Sequence, residues 1–123
     1  MTSERALRGT ASESIAAEYL QARGLEVIAR NLRCKSGELD LVCRDGRVLA
    51  VVEVRQRSRA DYGGALCSVS ASKQRKIIRA ARFLLERRAA LSAMTLRFDV
   101  VAVQGMPDGP HAISWIKDAF RAA

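Results

Sequence analysis

Apolar positions along this chain recur in two rhythms, one near 3.6 residues and one of two residues, and the two alternate in blocks. From Arg8 to Arg23, Ile15, Ala16, Tyr19 and Leu20 mark one face of a helix, and Gly24 supplies its stop. Leu25 to Ala29 reads as a short strand and Asn31 to Gly37 as a polar, basic loop. From Glu38 to Cys43, Leu39, Leu41 and Cys43 alternate with Glu38, Asp40 and Val42, as in a strand. Asp45-Gly46 suits a tight hairpin, and the valine-rich stretch Val48 to Arg55 predicts a strand buried on both faces. Arg57 to Ser70 is loop-like around Gly63-Gly64. Ser70 or Ser72 then caps a helix running to about Arg88, with Ile77, Ile78, Ala81, Leu84 and Leu85 on one side and Arg75, Arg79 and Arg82 on the other. Leu96 to Val103 is a further strand, Met106 to Pro110 a turn, Ala112 to Ile116 a short edge strand, and Lys117 to Arg121 a closing turn of helix.

The order α-β-β-β-α-β plus a tail calls for a central mixed sheet with helices against it. With 123 residues, two prolines and no internal repeat, one domain spanning residues 1–123 is expected. The longest aliphatic run, Val48 to Val52, is far short of a membrane span, and Met1 to Arg8 has no apolar core of a secretory signal. A cytoplasmic protein without membrane contact is therefore expected. Cys34, Cys43 and Cys67 form no Cys-x-x-Cys pair and His111 is the one histidine, which argues against a zinc site and against a disulfide framework.

Charge changes the picture. Twenty-one Lys and Arg against 13 acids leave a formal +8, which favours a polyanionic partner such as nucleic acid, because each cation placed on a phosphate releases a condensed counterion. The residues expected to touch phosphates are Arg57, Arg59, Lys73, Arg75, Lys76, Arg79 and Arg82.

Carboxylates stand where a core should be. With Asp45-Gly46 as the two-residue turn, Arg44 faces Arg47, Asp40 faces Val51 and Glu38 faces Glu53. Glu38, Asp40, Glu53 and Arg55 then share one face of the sheet. Opposed carboxylates repel, and a buried one needs a positive partner. That partner is either a divalent cation such as Mg²⁺ or Mn²⁺, which oxygen ligands suit, or Arg55 or a neighbouring arginine in a structural ion pair. Glu13 precedes Ala16 by three and Leu20 by seven, so it lies along the helix stripe that faces the sheet, where it either reaches past the helix edge to water or joins the same site.

At these residues the chain resembles the YraN family, small bacterial proteins with a PD-(D/E)XK nuclease-like fold, similar in shape to Holliday junction resolvases. The resemblance is carried in order by Ser12-Glu13 with Ala16, Tyr19 and Leu20, by Ala29-Arg30-Asn31, by Gly37-Glu38-Leu39-Asp40-Leu41-Val42, by Val52-Glu53-Val54-Arg55-Gln56-Arg57, by Lys73, by Arg97-Phe98-Asp99-Val100-Val101 and by Ala119-Phe120. It implies a restriction-endonuclease-like three-layer α/β core. It also implies a metal-dependent endonuclease for DNA, with branched or structured DNA as substrate, or a non-catalytic nucleic-acid-binding or adaptor protein on the same fold. Carried over, Asp40, Glu53, Arg55 and Lys73 are the catalytic set, and Glu13, Asp40 and Glu53 the ligands of Mg²⁺ or Mn²⁺. Arg55 stands where the family pattern of such nucleases has lysine; arginine keeps its proton near neutral pH, so it stabilises charge but is no base. By analogy with resolvases, a homodimer is expected.

Overall fold

The computed structural model describes residues 4–57, 69–105 and 109–122. Helix α1 (Glu4–Ala22) is followed by three strands, β1 (Glu26–Cys34), β2 (Gly37–Asp45) and β3 (Val48–Arg57), then by helix α2 (Ala71–Arg87) and strands β4 (Thr95–Gly105) and β5 (His111–Phe120). The strands form one sheet in the order β1-β2-β3-β4-β5. All neighbours are antiparallel except β3 and β4, which the α2 crossover makes parallel. The expected mixed sheet is thus present, and the edge strand expected to be short is a full ten residues. Among the described residues no helix is long and apolar enough to cross a membrane.

The two helices cover opposite faces. Ala16, Ala17 and Leu20 of α1 pack with Leu41, Cys43, Ala50, Val52 and Val101. Ile77, Ala80, Ala81 and Leu84 of α2 pack with Val42, Leu49, Val51, Phe98 and Val100. Along β3 the alternation 49, 51 against 50, 52 is the strand period itself, and both sets are buried because both faces carry a helix. α1 ends as its glycine predicts. Gly24 takes φ +92°, its N–H donates to the Gln21 carbonyl, and the Leu25 N–H donates to that of Leu20, with both leucines buried. α2 begins at Ser70, whose hydroxyl accepts the Lys73 N–H at 3.1 Å.

Three expectations need correction. The β2–β3 turn is centred on Gly46-Arg47, because Asp45 pairs with Val48. Gly46 has φ +61° and Arg47 does not enter the positive region, which is the II′ arrangement with glycine at the first central position. Asp45 is held in the strand by Arg97, whose Nη1 lies 3.0 Å from its carboxylate. This moves the register by two residues, which keeps the parity of the expected β2–β3 pairing but changes the opposed pairs. Second, the stretch read as the loop Asn31 to Gly37 is mostly strand, since β1 runs to Cys34. Asn31 allows this by adopting φ +49°, an αL conformation that asparagine tolerates. Third, Lys117 to Arg121 is not helical, and the edge strand does not stop at Ile116. β5 continues to Phe120, which pairs with Phe98 and stacks on it at 5.2 Å. Asp118 makes room with φ +54° and donates its N–H to Asp99.

Asp99 fastens that end of the molecule. It is fully buried and accepts from Arg97 Nε at 2.8 Å and Nη2 at 2.9 Å, from Trp115 Nε1 at 3.1 Å and from the Asp118 N–H at 2.9 Å. Through Arg97 the cluster reaches Asp45, so one buried ion pair ties together the β2–β3 turn, β4 and β5. In the sequence, Arg97 and Asp99 stand only as part of a family segment, with no local pattern that explains them.

Candidate active site

β2 and β3 bring Asp40 and Glu53 together. Strand pairing runs from Asp45↔Val48 to Leu41↔Val52, and one further step sets Asp40 across from Glu53. The two side chains share a hydrogen bond. Asp40 also reaches over the end of the ladder, where its Oδ2 accepts the Val54 N–H at 2.9 Å. The pairing of β1 with β2 steps over Asn31 and Asp40. Leu39 packs on the α2 side while Leu41 packs on the α1 side, so β2 turns over at Asp40. This twist frees the carboxylate from the regular ladder and aims it at β3.

Glu53 is 6% exposed. Burial, followed by the charge of Asp40, pushes its carboxyl up to about 8, and the pair retains a proton at neutral pH. Burial also raises Asp40, and the Val54 N–H opposes that rise by favouring its charged form. The proton therefore rests on Glu53, which donates to an ionised Asp40. Among the described side chains, the cation that stands beside the pair is Lys73, whose Nζ lies 3.7 Å from Glu53 Oε1. Among the described residues no ion pair joins Arg55 to the acids. Its Nε is buried and without a hydrogen-bond partner.

Glu13 approaches from α1. Burial and then the charge of Asp40 raise its carboxyl, and a hydrogen bond from Asn31 opposes the rise. Its Oε2 is buried with no hydrogen-bond partner, as is the hydroxyl of Ser12 beside it. Glu13 does not close a cage with the pair: among the described residues no three His, Cys, Asp or Glu side chains stand close enough to hold a metal together. Two adjacent carboxyls and a third at longer range still fit Mg²⁺, which commonly takes one or two carboxylates and keeps several waters. Glu38, expected opposite Glu53, is instead exposed and lies 3.7 Å from Arg33. Cys43 has no part in this chemistry. Burial and then the Asp99 carboxylate push its thiol up to about 12.

The expected phosphate-contacting residues divide. Lys73 stands at the acid pair, and Arg75, Arg79 and Arg82 follow along the exposed side of α2 and line one groove. Lys76 is exposed on the same helix, with its Cβ against Gly37 of β2. Arg57 ends β3 with its guanidinium on the Gln56 carbonyl, and Arg59 lies outside the described residues. Asn31 supports Glu13, a role that its place in a family segment did not indicate. A signal for its backbone conformation was there, since a lone asparagine between strand-like segments is a candidate for positive φ.

A family model described as "Uncharacterised protein family UPF0102" matches residues 12–103, which contain Glu13, Asp40, Glu53 and Lys73. The UPF0102 protein of Pseudomonas putida is 46% identical over 112 residues, covering 91% of this chain and 90% of its own. That of Xanthomonas campestris pv. campestris is 46% identical over 121 residues, covering 98% and 97%. That of Dechloromonas aromatica is 45% identical over 115 residues, covering 94% and 89%. With the family model spanning most of the chain and relatives aligned almost end to end, this protein belongs to the UPF0102, or YraN, family.

Proposed function

We propose that the protein is a metal-dependent endonuclease that hydrolyses phosphodiester bonds in DNA, with branched or structured DNA as its substrate class. The observation that carries the reading is the Asp40–Glu53 pair, Glu53 buried and Asp40 half-buried, set beside Lys73 at the start of an arginine-lined helix. A buried glutamate set against a second carboxyl costs stability that apolar residues would not, so its presence calls for a use. Asp40 and Glu53 would hold Mg²⁺ or Mn²⁺, with Glu13 reaching toward it from α1. When bound, such an ion polarises the phosphate and lowers the pKa of a water. Lys73 supplies a mobile ammonium within reach of Glu53 and takes the place of the lysine that the strand lacks. Arg55, always charged, supplies fixed donors to developing negative charge. The α2 arginines hold the backbone on either side of the reacting phosphate. Two copies acting together, one on each strand, belong to the same proposal.

A second reading, a binder or adaptor that does not cut, is favoured by one residue. Arg55 replaces a titratable lysine, which removes a proton acceptor from the strand. Cleavage of branched DNA with Mg²⁺ or Mn²⁺ decides between them. The nuclease reading expects metal-dependent cutting that Glu53→Gln abolishes without loss of binding, and that Arg55→Lys retains or raises. Binding of branched DNA with no cutting in either metal, unchanged by Arg55→Lys, overturns it in favour of the binder.

A further inference from the structure

Beyond the acid pair, α2 borders a groove whose lining is unusual for a surface that only holds duplex phosphates. Ser36, in the turn between β1 and β2, forms one side. Arg75, Arg79 and Arg82 form the other, spaced over about 10 Å of helix, with Glu86 the single acid at the far end. Ile78 and Phe83 give it an apolar floor, and its volume is about 460 Å³. The Arg87 guanidinium lies 4.6 Å from the centre of the Phe83 ring, and Arg87 does not line the groove. The ring is therefore backed by a cation while it also lines the cavity.

We propose that this groove is a subsite for unpaired nucleotides, with bases seated on Phe83 and Ile78 and their phosphates held by Arg75, Arg79 and Arg82. Duplex DNA presents phosphates and groove edges and keeps its base faces stacked, so a half-buried ring in a cleft has nothing to meet on it. An unpaired strand presents both an anionic backbone and π faces, and aromatic rings flanked by cations are the sequence-tolerant way to hold it. Three guanidiniums against one carboxylate set the sign of the ligand, and the apolar floor sets its class. The groove lies on the helix whose first turn carries Lys73 to Glu53. A strand seated in it would lie along the same helix that carries Lys73 to the acid pair.

This inference rests on the nucleic-acid reading above and narrows it to substrates with unpaired segments. The test uses the full chain in EDTA and fluorescence anisotropy with three probes: an oligothymidylate, an abasic strand of equal length and charge, and a duplex. Wild-type protein is expected to bind oligothymidylate at least about fivefold more tightly than the abasic strand, the lower bound for one stacked base. Phe83→Leu should remove that difference and leave duplex affinity within about twofold, while Phe83→Tyr, which keeps a ring, retains it. Equal affinity for the thymidylate and abasic strands overturns the subsite and leaves the nucleic-acid reading standing. Binding to none of the three at low salt overturns both. Tight binding of poly-glutamate that is lost in Phe83→Leu, without the thymidylate preference, assigns the groove to an acidic protein segment instead.

Discussion

Replacing Glu53 by glutamine should stabilise this protein at alkaline pH and leave it nearly unchanged at pH 4.5. Folded Glu53 titrates near 8, whereas the unfolded chain releases that proton at 4.5. The folded pKa is raised, so the associated stability is complete below pH 4.5 and is lost as pH climbs toward 8. At about 1.4 kcal/mol per pH unit the difference is on the order of 4–5 kcal/mol, and about 3–5 kcal/mol is expected once Asp40 relaxes around the new charge. Asp40 is raised as well and adds in the same direction. A glutamine keeps the shape, donates an N–H to Asp40 and cannot ionise. Urea denaturation in EDTA at constant ionic strength, at pH 5, 6, 7 and 8.5, reads the effect directly. Wild-type stability should fall across that range, and the glutamine variant should stay nearly level. Adding Mg²⁺ at pH 8.5 should recover part of the wild-type loss and none in the variant. Wild-type stability that stays flat or rises from pH 5 to 8 would refute the shared-proton account. A variant less stable than wild type at pH 8.5 would do the same, and would make the Lys73 contact the main reason for the glutamate.

Other outcomes follow from the same geometry. Lys73→Met should cost less at pH 6 than at pH 9, reaching at most about 1 kcal/mol because the lysine is half exposed, and denaturation midpoints at the two pH values check it. Asp99→Asn leaves Arg97 without its buried counter-charge and should cost about 3–5 kcal/mol at neutral pH, read as a lowered urea midpoint with an unchanged slope. The thiol of Cys43, pushed up to about 12, should resist iodoacetamide at pH 8 in the folded protein and react once urea unfolds it, as peptide mass mapping would show.

Local pattern alone determined much of this molecule. The apolar stripes of both helices, the valine-rich β3, the Ser70 cap and the Gly24 stop are decisions made within a few residues, where side-chain period and backbone freedom act directly. That Asp40 and Glu53 would meet was equally readable, because an even change of register keeps the parity of the β2–β3 pairing; the turn-over of β2 at Asp40, which takes Glu38 out of the cluster, was not. The partner across the ladder was not readable. The II′ turn at Gly46-Arg47 is secured by Arg97, 52 residues from Asp45 in sequence, and that contact exists only after β4 has come alongside β3. The ends of β1 and β5 escaped for a related reason. Asn31 and Asp118 take positive φ, which local propensity would read as loop or helix, and β5 is carried through its irregular residue by the Phe98–Phe120 stack and the Asp99 acceptor. The same limit applies at the acid pair. A glutamate between valines announces that something is paid for, but burial to 6%, the shared proton and the choice of Lys73 over Arg55 depend on which helix lies across that strand. Electrostatics of this kind is a property of packing, and only the tertiary structure decides it.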